Sequence, residues 1–308
     1  MRTHRALAIM ASLELASGAA GAQQAAPQPA PQPATQPAGQ SAPSLGANDA
    51  SVSRPGGLPA GYHLVWADEF DRGPSIDPAK WAFDTSRNKA GWYNDEKQYY
   101  AADRPANLRI ENGTLVIEAR REDLSAAPPK DWGGQAYTSG KIQTLGKARW
   151  TYGFFEVRAR LACGGGTWPA IWMLGDNGLP WPTNGEIDIM EHVGWNQGTI
   201  YGTIHTAANN HAEHTQKGAE IKLADVCGQW HRYQLHWTAD RLEIGVDDHT
   251  FMAFANDGRG DPRTWPFNGP QYLILNLAIG GWGGQQGGID DAALPARFAI
   301  DYVRVWQR

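Results

Sequence analysis

The chain has 308 residues, a formal net charge of -5 at pH 7, and 14 Trp and 10 Tyr residues. Its longest run of basic residues is Arg120-Arg121, so it lacks the basic surface that binds nucleic acid. No apolar run after the N-terminus is long enough to cross a bilayer. We therefore expect a monomer that binds a neutral ligand, with no nucleic-acid partner and no transmembrane segment.

Residues 1–22 have the pattern of a secretory signal peptide. Arg2 and Arg5 precede an apolar stretch that ends in small residues, which favours cleavage before Gln23. Glu14 interrupts the apolar stretch and departs from the pattern. The sequence predicts an exported protein, either secreted or periplasmic.

Residues 23–59 consist mainly of Pro, Ala, Gln and Ser. They contain too few large apolar side chains to offset the entropy lost on ordering, which predicts a disordered or semi-stiff linker. Every Trp and Tyr lies after this segment. Residues 60–308 are therefore predicted to form one folded domain.

Short segments that alternate apolar and polar residues recur along the domain, separated by Gly, Asn, Asp or Pro. Asn112-Gly113 between two apolar runs is typical of a hairpin turn, and no long segment has a helical period. This pattern predicts an all-β chain folded as a β-sandwich of two antiparallel sheets. The segments are LVWADEF (64–70), LRIENGTLVIEAR (108–120), YGFFEVRARL (152–161), EIDIMEHV (186–193), TIYGTIHT (199–206), HRYQLHWTAD (231–240), RLEIGVDD (241–248), QYLILNLAIG (271–280) and AIDYVRVWQ (299–307).

The segment YGFFEVRARL shows how the two faces of a strand differ. Phe155 and Val157 share one face, whereas Glu156 and Arg158 share the other, because successive side chains point to opposite sides. Several polar, aromatic-rich faces side by side would suit a flat, hydroxylated ligand.

Two further groups of residues bear on metal binding and cross-linking. Cys163 and Cys227 are 64 positions apart, which indicates a disulfide in an exported chain, with free thiols as the alternative. His211 and His214 lack the H-E-x-x-H spacing of a helical zinc site. We expect these histidines to lie in a solvated loop.

The segment EIDIMEHV places Glu186, Asp188 and Glu191 within six positions. Strict alternation would put the first two on one face and send Glu191 into the core, where a lone carboxylate costs several kcal/mol. One extra residue absorbed as a β-bulge near Met190 would return Glu191 to the acidic face. The spacing therefore predicts a bulge.

With that bulge, the Cα atoms of Glu186 and Glu191 would be roughly 13 Å apart, and side chains that lean together would bring the carboxyl groups to roughly 5–6 Å. A separation of about 5–5.5 Å is typical of retaining glycosidases, in which one acid attacks and the other donates a proton. Close acids raise at least one pKa among them. The alternative is a solvated acidic strand face without catalytic function.

The sequences around this strand resemble glycoside hydrolase family 16, and within it the bacterial laminarinase-like endo-β-1,3-glucanases. The resemblance extends in order over nearly all of residues 61–308 and implies a concanavalin-A-like β-jelly roll with a substrate cleft along its concave sheet. It implies no cofactor for catalysis. The motifs are WYNDEKQYY (92–100), YTSGKIQT (137–144), GTWPAIWML (166–174), PWPTNGEIDIMEHVG (180–194), GTIHT (202–206), WPFNGPQYLILNLAIGGWGG (265–284) and IDYVRVWQ (300–307).

The resemblance implies catalytic roles for the three acids. Glu186 matches the nucleophile, Glu191 the general acid/base, and Asp188 the residue that assists the nucleophile. Met190 is the extra residue before the last Glu, a feature of family members that include β-1,3-glucanases.

The resemblance also implies substrate contacts. Trp168 and Trp172 match cleft aromatics that stack on glucose rings, although core packing is an alternative for Trp172. Asn94 matches a polar contact at the non-reducing side, and His205 a cleft histidine near the acid/base. Two further candidates are Trp282, expected at the rim in a Gly-rich loop, and Lys141, which stands where the family often has Arg and lacks its planar fork.

Many members of the family hold a structural calcium ion on the convex side. The matching positions are Glu69, the carbonyl of Gly113, and Asp301. Oxygen ligands suit calcium, but these three alone are too few without water.

The sequence therefore predicts a retaining endo-glycosidase that hydrolyses β-1,3-glucosidic bonds in laminarin-type glucans. Alternatives within the family are activity on mixed-linkage glucan, agar or carrageenan, or transglycosylation. An alternative of another class is a glucan-binding lectin without activity.

Overall fold

The structure is a computed structural model that describes residues 57–308. The predicted signal peptide at 1–22 and nearly all of the predicted linker at 23–59 lie outside the described residues. Within the described range no helix has both the length and the apolar character needed to span a membrane.

Residues 57–308 form seventeen strands and four short 3₁₀ helices. The strands are β1 (His63–Asp68), β2 (Ala82–Phe83), β3 (Gln98–Tyr100), β4 (Leu108–Glu111), β5 (Thr114–Arg121), β6 (Tyr137–Ser139), β7 (Lys141–Gln143), β8 (Gly153–Arg160), β9 (Thr167–Gly175), β10 (Glu186–Glu191), β11 (Thr199–His205), β12 (Lys217–Lys222), β13 (His231–Trp237), β14 (Arg241–Val246), β15 (His249–Ala255), β16 (Gln271–Ile279) and β17 (Ala296–Gln307). The helices are Gly194–Asn196, His211–Glu213, Gly281–Gly284 and Asp291–Ala293.

The strands form two sheets that pack face to face, which is the predicted jelly-roll β-sandwich. The larger sheet has ten strands in the order β15-β14-β13-β8-β17-β5-β6-β3, with β1 added on β17 and β4 on β5. The smaller sheet has seven strands in the order β12-β11-β10-β9-β16-β7-β2. Among the described strands, β3 and β6 pair in parallel and the other pairs are antiparallel.

One hydrophobic core fills the space between the sheets, and the alternation of the strands determines which residues enter it. On β8, Phe155 and Val157 are buried in this core, whereas Arg158 and Arg160 lie on the outer face. On β10, Ile187 belongs to the same core. The outer face of the smaller sheet is thereby left for polar side chains.

A disulfide joins the chain after β8 to the chain before β13. Cys163 and Cys227 form this bond, with their Cα atoms 5.9 Å apart. The expectation of a solvated loop at the two histidines is wrong for His211, which is buried, and fits His214, which is exposed. The His211 ring packs 4.8 Å from the ring of Trp181, so an aromatic contact holds it inside.

Candidate active site

The predicted bulge in β10 is present. The pairing register of β10 shifts between Asp188 and Glu191 against β11, and between Asp188 and Met190 against β9. Ile189 and Met190 both point into the core as a result. Glu186, Asp188 and Glu191 line one cleft on the opposite face, as the bulge requires.

The neighbouring strands supply the rest of this cleft. Ala170 on β9 pairs with Glu191 on one side and with Asn276 of β16 on the other, so these residues form a row across the sheet. The small side chain of Ala170, between Glu191 and Asn276, leaves space above the sheet at this point. The other lining residues are Asn94, Glu96, Trp168, Trp172 and Ala278.

Each of the two glutamates accepts a hydrogen bond from an indole N–H. Nε1 of Trp181 donates to Oε2 of Glu186 at 2.7 Å, and Nε1 of Trp168 donates to Oε1 of Glu191 at 3.0 Å. Hydrogen bonds to an ionised acceptor are stronger than neutral ones and fix its orientation. The two carboxyl groups are therefore held in place before any substrate enters.

His205 lies beside Glu186 and Asp188, and not beside the expected acid/base Glu191, because it is the register partner of Glu186 on β11. Its Nε2 atom is 3.3 Å from Oδ2 of Asp188 and 3.8 Å from Oε1 of Glu186. Its ring is 5.0 Å from the ring of His211. Burial lowers the pKa of His205, and the charge of Glu186 opposes that effect.

Burial and mutual repulsion raise the pKa values of the three acids. Burial, followed by the charge of Asp188, raises the pKa of Glu186 to about 8. Burial, followed by the charge of Glu186, raises the pKa of Glu191 to about 8. Burial and then the charge of Glu191 raise the pKa of Asp188 well above its usual value. The cleft therefore retains protons at neutral pH, which a general acid requires.

Ligand atoms of Glu186, Asp188 and His205 all lie within 4.8 Å of one another, a spacing that would also suit a cation. One oxygen of Glu186 already accepts a hydrogen bond from Trp181.

Trp172 is a cleft residue, and the alternative of core packing does not hold. Its side chain is partly exposed and lines the cleft. Its Nε1 atom donates to Oδ1 of Asn276 at 2.7 Å, and the amide of Asn276 donates to the hydroxyl of Tyr100 at 2.9 Å. The indole is thus held rigidly enough to serve as a platform for a sugar ring.

Lys141 does not reach the cleft surface, contrary to the expected sugar contact. Its ammonium group pairs with Asp84 at 2.9 Å, and its side chain is 10% exposed. The ammonium lies 4.6 Å from the ring centre of Trp92 and 5.2 Å from that of Trp172. Its position makes it a support beneath the Trp172 platform.

Trp282 is not a rim residue. Its side chain is 4% exposed and packs behind Trp168, with ring centres 5.7 Å apart. The loop around it is tight, because a Cβ at Gly283 would lie 2.6 Å from the carbonyl oxygen of Thr167. Trp282 therefore supports Trp168, while Asn94 does line the cleft.

The positions that match a calcium site do not offer a free set of ligands. Both carboxylate oxygens of Glu69 accept hydrogen bonds from Arg304 at 2.8 Å. Asp301 accepts one from Arg158 at 2.5 Å. Only the Gly113 carbonyl remains, so in this arrangement the three residues do not fit a cation.

Sequence reasoning missed three residues of the site. Trp181 stands in the motif that precedes Glu186, and its spacing of five residues could have suggested a contact. Glu96 and Asn276 line the cleft from distant parts of the chain, and no local pattern marks them. Burial raises the pKa of Glu96, an effect that the charge of Lys141 opposes.

A jelly-roll sandwich with paired, buried carboxyl groups in an aromatic-lined cleft defines a glycoside hydrolase. The sequence profile described as glycosyl hydrolases family 16 matches residues 93–304, and the chain belongs to that family.

Similar proteins agree with this membership. The chain is 47% identical over 255 residues to a beta-glucanase of Rhodothermus marinus, covering 80% of this chain and 85% of that protein. A solved structure of a non-specific endo-β-1,3(4)-glucanase superimposes with a TM-score of 0.79 at 60% identity, covering 82% of this chain and 93% of the other. The structure of the laminarinase from Rhodothermus marinus gives a TM-score of 0.74 at 47% identity, with 80% and 97% covered.

Proposed function

We propose that this glycoside hydrolase is a retaining endo-β-1,3-glucanase that cleaves laminarin-type glucans by double displacement. The observation that carries the proposal is the bulge in β10, which brings Glu186 and Glu191 to one cleft. The endo-β-1,3(4)-glucanase and laminarinase relatives support the choice of substrate. The indole N–H groups of Trp168 and Trp181, which each bond to one of the two glutamates, support a joint role for these acids.

In the first step Glu186 is the nucleophile and Glu191 the acid. A carboxylate oxygen of Glu186 forms a bond to the anomeric carbon, the glycosidic C–O bond breaks, and the proton of Glu191 moves to the leaving oxygen. His205 supports this assignment by its position, because its Nε2 atom lies 3.8 Å from Oε1 of Glu186 and so faces the proposed nucleophile.

In the second step the roles of the acids change. Glu191, now ionised, takes a proton from water, the water oxygen bonds to the anomeric carbon, and the ester bond to Glu186 breaks. Asp188 can take up a proton while its neighbour is charged, because its own pKa is raised strongly by burial and by Glu191. Two inversions at one carbon retain the configuration of the sugar.

The cleft outside the acids suits a neutral glucan. Trp172 supplies an apolar platform, and Asn94, Glu96 and Asn276 supply amide and carboxyl groups for sugar hydroxyls. A mix of hydrogen-bond donors and acceptors serves hydroxyl groups, each of which is both. No cofactor takes part in the proposed steps.

The experiment is hydrolysis of laminarin by Glu186→Gln and Glu191→Gln variants, followed by counting new reducing ends. We expect both variants to lose nearly all turnover while laminari-oligosaccharide binding persists, because Gln keeps the shape but cannot attack or donate a proton. The anomeric form of the first product, followed by NMR, should be β. An α-product, or turnover by Glu186→Gln equal to that of the unsubstituted chain, would contradict the mechanism.

Mixed-linkage β-1,3-1,4-glucan is a second candidate substrate. The relative at 60% identity is described as a non-specific endo-β-1,3(4)-glucanase, and that description favours it over agar or carrageenan. Profiling products from laminarin, curdlan, lichenan and agarose side by side would rank the substrates. The same assay separates an enzyme from a lectin, which would bind laminarin and generate no new ends.

Three further predictions belong to this proposal. Export to the periplasm or the medium follows from the N-terminal pattern, and a monomeric state is expected. A calcium ion at Glu69, Gly113 and Asp301 is the third prediction, and it requires Arg158 and Arg304 to leave their carboxylates, because the arrangement in the structure does not fit a cation. Thermal melts with calcium or a chelator would test it.

A further inference from the structure

A second pocket lies on the outer face of the larger sheet, on the opposite side of the sandwich from the acids. It encloses about 210 Å³. Its floor is a row of register partners, Val116 on β5, Ala299 on β17 and Arg160 on β8. The small side chain of Ala299 between two larger ones leaves a depression in the sheet surface.

The walls of this pocket are polar and aromatic. Trp230 stands over the row, with the guanidinium carbons of Arg158 and Arg160 at 5.2 and 5.3 Å from its ring centre. Arg297 closes another side and is anchored to the buried Glu118 at 3.0 Å. Because the side chains of Trp230 and Arg297 are held by these neighbours, the walls of the pocket have a fixed position on the sheet.

Arg160 has donors that no acid satisfies. Within the described residues no carboxylate oxygen lies within 4.0 Å of its nitrogens, and its guanidinium group lies over the ring of Trp230. A guanidinium group stacked on a ring keeps N–H donors at its edge. Arg158, by contrast, already donates to Asp301.

We propose that this pocket binds one neutral sugar residue of a β-glucan chain, as a surface site separate from the cleft. Arg160 and Arg297 offer donors, Glu111 offers acceptors, and Asn112 and Thr114 offer both, which matches the hydroxyl groups of a sugar. Val116, Ala299 and Trp230 provide the apolar surface that sugar C–H groups contact.

The volume of the pocket restricts the class of ligand further. The volume is below the roughly 300–1,000 Å³ of pockets for drug-sized ligands, so it has room for one ring. Arg297 lies 3.6 Å from Glu111, which largely cancels both charges. The choice of a neutral ring over a uronic acid follows from the proposed substrate, a neutral glucan, and not from the charge of the pocket.

The consequence of such a site depends on the length of the substrate. A single-residue site is weak, with affinity expected in the millimolar range. The pocket lies across the sandwich from the cleft. It should therefore strengthen binding only to glucan particles or long chains, which can occupy the pocket and the cleft at the same time. Short oligosaccharides should be hydrolysed without its help. The identity of the sugar rests on the proposed function, whereas the existence of the site does not.

The first experiment is an NMR titration of the Glu186→Gln chain with laminaribiose, which needs no hydrolysis. We expect the indole signal of Trp230, identified by its absence in Trp230→Ala, to shift with sugar. It should not shift in Ala299→Leu, where the added side chain fills the pocket while Trp230 remains. Shifts with glucuronic acid but not with laminaribiose would overturn the choice of a neutral sugar, and no shift with either would overturn the site.

The second experiment compares insoluble β-1,3-glucan with a short laminari-oligosaccharide. We expect Trp230→Ala and Ala299→Leu to adsorb to the particles roughly fivefold less, with kcat/KM on the oligosaccharide unchanged. Trp306→Ala, a Trp substitution on the same sheet outside the pocket, serves as the control. Equal adsorption by all variants, or equal losses on both substrates, would contradict the proposal. Failure of the chain to hydrolyse any glucan would refute the proposed function and leave the NMR result standing.

Discussion

Replacing Lys141 by Met tests whether this residue supports the cleft from below. The ammonium group is nearly buried between Asp84, Trp92 and Trp172. Met keeps most of the apolar stem but leaves Asp84 buried without its cation. Removal of one partner from a buried pair costs about 3–5 kcal/mol.

That free energy translates into a large change in melting temperature. A domain of 150–250 residues loses about 2–4 °C per kcal/mol, so Lys141→Met should melt about 6–20 °C lower at neutral pH. Lys141→Arg keeps the charge and should lose less. Asp84→Asn combined with Lys141→Met should recover part of the loss, because the carboxylate that paired with Lys141 is then gone as well.

Asp84 determines how the difference in stability between the unsubstituted chain and Lys141→Met depends on pH. Burial alone would raise its pKa, but the charge of Lys141 and hydrogen bonds from Ser86 and Lys141 together lower it. A lowered pKa gives stability above the unfolded value of about 3.9, and that stability is lost as pH falls through the folded value. The difference in melting temperature between the unsubstituted chain and Lys141→Met should therefore be largest near neutral pH and smaller in acid.

Calorimetry and steady-state kinetics check these expectations together. Loss of the cation beneath Trp172 should loosen the platform and raise KM for laminari-oligosaccharides more than it lowers kcat. A melting temperature within about 2 °C of the unsubstituted chain, well below the shift expected for a broken buried pair, would refute the reasoning. A difference in melting temperature that grows in acid would refute it as well.

Two other substitutions test the acids and the cross-link. Trp181→Phe removes the N–H that bonds to Glu186 and lowers its pKa, so the pKa of Glu186 should rise. Since the nucleophile must be ionised, the acidic limb of the kcat/KM profile should move to higher pH. An unmoved limb would contradict the assigned role. Replacing Cys163 and Cys227 together by Ala opens a loop of 64 residues. The free energy of unfolding should fall by about 4 kcal/mol. An unchanged melting temperature in a reversible melt would show that the disulfide adds no stability.

The alternating segments predicted ten of the seventeen strands, and the spacing of the acids predicted their place on one face of β10. The strands outside those segments are β2, β3, β6, β7, β9, β12 and β15. Alternation is a local property, so the odd spacing before Glu191 could be read as a bulge without any knowledge of neighbouring strands. The resemblance to family 16 added the order of the jelly roll. The side of the sheet on which Trp172 lies stayed open between cleft and core until the structure placed it in the cleft.

The environment of Lys141 and the position of Trp282 could not be predicted, because each depends on distant parts of the chain. Asp84 lies 57 positions before Lys141 in the sequence, and only the folded sheet brings them together. The Gly-rich loop around Trp282 suggested an exposed rim. Its glycines instead permit close packing, since a Cβ at Gly281 would lie 2.7 Å from the carbonyl oxygen of Asn94.

The indole donors on the two glutamates have an optical consequence. An indole N–H does not titrate in the working range of pH, whereas the carboxyl groups that Trp168 and Trp181 contact do. The emission of an indole responds to a charge that appears at its ring nitrogen. Replacing Trp168 or Trp181 in turn would separate their signals from those of the other Trp residues, and the ionisation of each glutamate could then be followed by fluorescence in the absence of any sugar.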